Sequence, residues 1–340
     1  NYTGATVTSK TFTYDSTSNT LAGKPTRTGY TFLGWDKNRN ATVQTYAAGE
    51  NVGNALSTGA DVELYAIWKA HEFKVSYNGN GSTGGETMTA STFTYDAINT
   101  LKTNTYERNG YAFAGWATTV GGEVVYGENA DVKNELYTGE NKETTLYAVW
   151  SKGLSSYTVE YYKQNIDGSY PKTASESVSR NGETDTALEG SVFEGYKKTI
   201  DGFTFARYET SNEGNSLVVK GDGSLVIRFF YSRNEYKLVF DVNVPDSITS
   251  VKPSTPEAST IKFEEEIGTR ADVSVERIGY TFVGWFYDAD FTKEVKATDT
   301  FNFLADTTVY AKYAATDVTY TVEYYQYNLD KITPTLVDSE

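Results

Sequence analysis

The sequence predicts a mostly β protein (α+β at most), built as tandem small modules arranged as an elongated rod. Three observations lead there. Two short phrases recur in fixed order: GYTFLGW (Gly29–Trp35), GYAFAGW (Gly110–Trp116) and GYTFVGW (Gly279–Trp285), each followed by LYAIW (Leu64–Trp68), LYAVW (Leu146–Trp150) or VYAKY (Val309–Tyr313). Repetition of this kind marks duplicated folding units, and the step from Trp35 to Trp116 sets the unit at about 80 residues. The composition favours strands: 28 Tyr, 17 Phe and 5 Trp suit a pleated, half-buried surface, while only 22% of residues are charged and long Glu/Lys/Leu windows are missing. Finally, no Ser/Gly or Pro/Thr run is long enough to be a flexible linker, so the 29 glycines read as turns and the junctions as stiff.

Residues 1–70 read as the first module without its opening strand. TFTYD occurs at Thr11–Asp15 and again at Thr92–Asp96, but only the second copy is preceded by FKVSYNGNG. Aligned on that pentapeptide, Asn1 falls opposite Ser82, which predicts an unpaired sheet edge in the first module. Residues 71–151 form the complete module. Phe73, Val75 and Tyr77 alternate with Lys74, Ser76 and Asn78, the period of a strand running into a turn. In the next strand Tyr111 and Phe113 should face one way and Ala112, Ala114 and Trp116 the other. LYAVW is apolar on both faces and suits a central strand. Val132 and Leu136, four apart, predict one short helix within Asn129–Thr138.

Residues 152–235 lack this pattern. They open on YTVEYYKQN (Tyr157–Asn165) and close on a strand over Gly223–Tyr231, launched from a Gly-Asp-Gly turn and holding Arg228 as its only charge. Residues 236–316 return to the first type, with Pro245, Pro253 and Pro256 in a longer connection and Tyr313 where the closing Trp should be. YTVEYYQYN at Tyr320–Asn328 makes residues 317–340 the truncated start of another module of the second type.

Composition also excludes several functions. Net charge is −15, and no module carries the basic surplus that nucleic acid or anionic lipid demands. With no cysteine there is no disulfide, thiol nucleophile or zinc-thiolate site. No apolar run approaches a membrane span. The chain opens on Asn1 without a signal peptide or anchoring motif, so its ends are expected to be those of a fragment.

The GYTFxGW and LYAxW pair, preceded by a VSYNGNG-like strand, resembles the internalin B-repeat family, the Listeria–Bacteroides repeat. The YTVEYY opening with the DGSLVIRFFYSRNEY close resembles the mucin-binding-protein-like modules of bacterial surface proteins. Together these resemblances imply β-grasp-like modules strung between a secretion signal and a cell-wall or outer-surface anchor. They imply a non-catalytic extracellular stalk or adhesin segment, and bring no shared catalytic residues.

The residues themselves agree with a protein that is not an enzyme. His71 is the one histidine, sits at a module junction, and reads as a solvated linker residue. Glu264, Glu265 and Glu266 form the densest carboxylate cluster, but neighbours on a strand alternate faces and read as a solvated acidic edge. Asp288 and Asp290 are the nearest approach to a cation loop. Trp35, Trp116 and Trp285 are the ligand-binding candidates, as sugar-stacking rings, against the alternative of core plugs. The expectation is therefore a monomeric stalk presenting a distal adhesive domain, with no cofactor, no metal, no nucleic acid and no membrane insertion. Its partners would be host glycans or surface proteins. Two other readings stand beside it: modules that themselves bind host glycan or mucin, and an accessory region of a secreted carbohydrate-active enzyme.

Overall fold

The computed structural model describes residues 9–245, 252–327 and 334–339. The alignment position of Asn1, part of the proline-bearing connection and part of the last module lie outside them. The chain divides into two compact units, one of residues 1–156 with 181–186 and 218–224, the other of residues 157–180, 187–217 and 225–340. Its described secondary structure is nearly all strand.

In the first repeat, strands β1 (Tyr30–Asp36) and β2 (Tyr65–Ala70) pair antiparallel as a two-stranded sheet. In the second, the strands are β3 (Glu72–Asn78), β4 (Gly84–Gly85), β5 (Ser91–Thr94), β6 (Asn99–Thr100), β7 (Tyr106–Glu107), β8 (Tyr111–Ala117), β9 (Asp131–Val132) and β10 (Glu143–Lys152). Its main sheet has the order β5-β3-β10-β8, with β3 and β10 parallel at the centre and both outer pairs antiparallel. The doubly apolar LYAVW strand is thus central. Short β4-β7 and β6-β9 ladders fasten its loops.

Residues 152–235, which lack the repeat phrases, build the same sheet. Strands β11 (Leu154–Lys163), β12 (Glu176–Glu183), β13 (Phe203–Thr210) and β14 (Val226–Arg233) take the order β12-β11-β14-β13, again with a parallel centre. A five-residue helix, α1 (Gly190–Glu194), lies between β12 and β13 and buries Phe193 against Phe229 and Tyr208. Arg228, the one charge within Gly223–Tyr231, faces Glu160 of β11 in register and bonds it at 3.2 Å. In the following repeat β15 (Glu235–Asp241), β16 (Ser259–Lys262), β17 (Tyr280–Phe286) and β18 (Thr307–Ala315) repeat the pattern as β16-β15-β18-β17. Strands β19 (Glu323–Tyr327) and β20 (Pro334–Ser339) form an antiparallel pair.

Two sequence expectations are corrected. No helix forms within Asn129–Thr138. Val132 and Leu136 are buried, at 3% and 2% exposure, but the chain reaches them through strand β9 and a turn closed by the Tyr137 N–H on the Asn134 carbonyl at 3.0 Å. Spacing of four placed both side chains inward without a helix because short ladders and the left-handed Asn129 and Asn141, at φ 56° and 54°, bend the backbone.

The alternation expected along GYAFAGW also fails. Each such strand carries a one-residue bulge after its Phe: the register jumps at Phe32/Gly34, at Phe113/Gly115 and at Phe282/Gly284. A bulge resets which face follows, so Phe and Trp, three apart, share a face. Their ring centroids lie 5.2 Å apart for Phe32–Trp35, 4.9 Å for Phe113–Trp116 and 5.4 Å for Phe282–Trp285. Glycine fills the position after the bulge because φ there is about 150° (Gly34 154°, Gly115 148°, Gly284 154°) and a side chain at Gly115 would strike Val124 and the Tyr126 carbonyl.

The same device is written differently in residues 152–235. GFTFARY (Gly202–Tyr208) has its register jump at Phe205/Arg207. Phe205 stands where the repeats have Phe, Tyr208 where they have Trp, and Tyr231 pairs with Phe205 as Trp150 pairs with Phe113.

Candidate functional site

The three tryptophans come out as core residues in like surroundings. Trp116 and Trp285 are 0% and 1% exposed, and Trp35 is half-buried against Leu21, Val52 and Leu56. Neither Trp116 nor Trp285 offers a ring face to a sugar. The indole N–H of Trp35 donates to the Ala22 carbonyl at 3.2 Å and that of Trp285 to the Val273 carbonyl at 2.6 Å. Trp116 has no such acceptor among the described residues.

The carboxylates named from sequence do not converge. Glu264 pairs with Arg233, Glu265 with Arg270, and Glu266 forms a backbone bridge to Thr300. Asp288 accepts from the Thr292 and Lys293 amides at 2.9 and 3.0 Å and from the Thr292 hydroxyl, bonds that hold its carboxyl below the usual range. Asp290 joins no cluster of candidate metal ligands among the described residues.

What does recur, within each unit, is the junction between consecutive sheets. One residue links the sheets and uses both of its main-chain groups to do so. The His71 N–H donates to the Gly29 carbonyl at 2.9 Å while its own carbonyl accepts from the Tyr95 N–H at 2.9 Å. Gly153 does the same between Gly110 and Thr184, at 2.8 and 2.9 Å. Asn234 does so between Gly202 and Phe263, at 2.9 and 3.0 Å. The glycine in each case opens the Gly-Tyr (or Gly-Phe) strand. It is the third residue of a tight turn, with φ of 75° to 76°, closed by bonds such as Tyr30 N–H to the Arg27 carbonyl at 3.1 Å.

The same glycines also make room for the next sheet. A Cβ on Gly29 would lie 2.3 Å from the Tyr95 ring, and one on Gly202 would lie 2.1 Å from the Phe263 ring. On Gly110 it would meet the Ser155 and Thr184 hydroxyls at 2.5 Å. Tyr95, Thr184 and Phe263 are each followed by an acid in the left-handed region: Asp96, Asp185 and Glu264, at φ 64°, 51° and 60°. Asp96 accepts from the Tyr30 hydroxyl at 2.8 Å and lies 3.7 Å from Arg27. Asp185 accepts from the Tyr111 hydroxyl. Where Phe203 replaces that tyrosine and has no hydroxyl to give, Arg233 bonds Glu264 at 2.6 Å instead.

Sequence reading missed this arrangement, although its signal was present. The phrase extends to Arg-x-Gly-Tyr in all three repeats, and the arginines stack on their tyrosines: Arg27 on Tyr30 at 3.6 Å, Arg108 on Tyr111 at 4.0 Å, Arg277 on Tyr280 at 3.9 Å. His71, expected as a solvated linker residue, is corrected likewise. Its side chain is only 16% exposed, with Nδ1 bonded to the Tyr137 hydroxyl and Nε2 3.0 Å from the Thr31 hydroxyl.

The Asp96 carboxyl is held below its ordinary range, first by the Asn134 amide and next by the Tyr30 hydroxyl. A depressed folded-state value contributes stability that is present above the ordinary carboxylate range and lost as pH falls through the folded value. Acidification through and below the ordinary carboxylate range should therefore loosen this junction. Asp96→Asn should flatten that part of the acid-unfolding curve, followed by near-ultraviolet circular dichroism; an unchanged acid limb would show that the carboxylate contributes nothing there.

Comparison with known proteins agrees with the repeat pattern. The Listeria-Bacteroides repeat domain matches residues 1–67, 73–149 and 236–312. A protein of Evansella cellulosilytica, provisionally named a Gly-rich membrane protein, is 25% identical over 301 residues, covering 86% of this chain and 31% of the relative. A second protein of that organism, provisionally named a membrane protein, is 31% identical over 132 residues, 37% of this chain and 18% of its own length. The chain thus spans under a third of either relative. No described helix is long and apolar enough to cross a membrane.

Proposed function

The chain belongs to the Listeria-Bacteroides repeat family, and from that premise we propose that it is a non-catalytic extracellular spacer of a bacterial surface protein, holding a distal adhesive or binding domain away from the cell. The observation that carries this reading is the linking residue. His71, Gly153 and Asn234 each bond backward to one sheet and forward to the next, which leaves no slack chain between them. A spacer needs such junctions; a string of independent binding domains does not.

In this reading the sheets are β-grasp-like modules in an elongated rod. The strand order, with first and last strands parallel at the centre, supports the fold assignment. The finer names, internalin B repeat for the three matched segments and mucin-binding-like module for residues 152–235, belong to the same proposal. The relatives' names support a location at the bacterial surface.

Small-angle X-ray scattering on the chain tests the reading. An elongated particle is expected, with a cross-section of one module and a length that grows when a further repeat is added. A compact particle with the radius of gyration of a 340-residue globule, about 20 Å, would overturn it.

A further inference from the structure

Four Asn-Gly pairs occur in the chain, at Asn78–Gly79, Asn80–Gly81, Asn109–Gly110 and Asn181–Gly182. Such a pair can attack itself: glycine has no side chain to hinder its backbone nitrogen, which can reach the carbon of the preceding carboxamide. Three of the four are held away from that reaction. The Asn78 Oδ1 accepts the Asn80 N–H at 2.8 Å, and the Asn80 carboxamide donates to the Ala148 carbonyl at 2.8 Å. Asn181–Gly182 lies inside strand β12, in its ladder with β11.

Asn109–Gly110 differs, and it stands at the Gly153 junction. Asn109 is exposed, its N–H donates to the Thr83 hydroxyl at 2.8 Å, and its carboxamide has no partner among the described residues. The Gly110 N–H donates no hydrogen bond among them either. Two features restrain the pair. The turn from Arg108 to Tyr111, with Gly110 at φ 76°, sets ψ of Asn109 at about +120°, which points the Gly110 nitrogen away from the carboxamide. The Asn109 carbonyl also fits against Gly221, where a Cβ would lie 2.1 Å from it. Thr28, Asp201 and Ile278 hold the same place in the other turns, and none has an amide to lose.

We propose that Asn109–Gly110 is a self-modifying site whose reaction is released when the Gly153 junction opens. Opening frees the Asn109 carbonyl from Gly221 and lets the Asn109–Gly110 peptide rotate until its nitrogen faces Cγ. The Gly110 nitrogen gives up its proton and bonds Cγ, the Cγ–Nδ2 bond breaks, and ammonia leaves as a succinimide closes. Water then adds to one of the two ring carbonyls. Cleavage at Cγ gives aspartate, and cleavage at the main-chain carbonyl gives isoaspartate. The isoaspartyl product carries an extra methylene in the main chain between Arg108 and Gly110. The Tyr111 N–H bond to the Arg108 carbonyl and the Gly153 N–H bond to the Gly110 carbonyl then lose their register. A junction that has once opened is thereby kept from closing. Water is the only co-reactant, and the proposal stands independently of the spacer reading.

Incubation of the intact chain in mildly alkaline buffer, sampled by peptide mass spectrometry, tests it. Asn109 should convert ahead of Asn78, Asn80 and Asn181, exchanging the mass of an ammonia for that of a water and splitting into aspartyl and isoaspartyl peaks. Tyr111→Phe removes the hydroxyl bonded to Asp185 across the junction. It should speed conversion at Asn109 about tenfold and leave the other three unchanged, since losing one charge-assisted hydrogen bond shifts an opening equilibrium by that factor. The isolated isoaspartyl form should melt at a lower temperature than the unmodified chain. An Asn109 that stays intact or trails the other three, a rate indifferent to Tyr111→Phe, or a rise shared by all four asparagines in that variant would overturn the proposal.

Discussion

Trp116→Ala is expected to cost about 3–5 kcal/mol, enough to unfold the second repeat or bring it close to unfolding. Trp116 is fully buried and packs on Phe113 and Tyr77, at 4.9 and 5.1 Å between centroids, inside a cluster that also holds Phe73, Val75, Leu101 and Leu146. A module of about 80 residues has few kilocalories to lose. Trp285→Ala should do the same to the last repeat, and Trp35→Ala less to the first, since that ring is half-buried. A finer comparison separates packing from hydrogen bonding. Trp285→Phe breaks a bond to the Val273 carbonyl, whereas Trp116→Phe removes an N–H that has no partner, so the first should cost about 1 kcal/mol more. Urea unfolding monitored by intrinsic fluorescence and circular dichroism would measure all five; equal costs for the two Phe variants would refute the hydrogen-bond term. Any sugar binding lost in Trp116→Ala would accordingly report lost folding.

Gly202→Ala should be strongly destabilising. It places a Cβ 2.1 Å from the Phe263 ring and forces a non-glycine residue to φ 75°. The backbone term is about 1–2 kcal/mol and the overpacking term about 1–3 kcal/mol. The two can be separated, because Gly202→Ala with Phe263→Ala opens the space while leaving the backbone penalty. Recovery of roughly half the loss in the double variant, relative to Phe263→Ala alone, is the expected coupling. Strict additivity would mean that the ring does not press on the glycine.

Strand content and the first-type repeats were legible in the sequence because they rest on letters that keep their spacing. The kinship of residues 152–235 was hidden because their Gly-Trp became Arg207-Tyr208. The sheet tolerates that exchange: what it needs at these places is a bulge and a ring, and Phe205 and Tyr208 supply both. Alternation along GYAFAGW misled for a related reason, since a period-2 reading assumes an unbroken ladder and a bulge shifts the phase. The helix expected near Val132 failed because periodicity over five residues cannot distinguish a helical turn from two inward points on an irregular loop. The junction was the hardest part to foresee. Its bonds are mainly backbone groups of His71, Gly153 and Asn234, three residues with nothing in common as side chains.

The parallel central pair has a consequence for load. In β3–β10, β11–β14 and β15–β18 the chain enters along one strand and leaves along a neighbour running the same way. Pulling on the two ends of such a sheet therefore slides the strands lengthwise past each other, and the inter-strand bonds must rupture together instead of peeling one after another. A tether made of these sheets should yield in discrete, high-force steps, one for each complete four-stranded sheet.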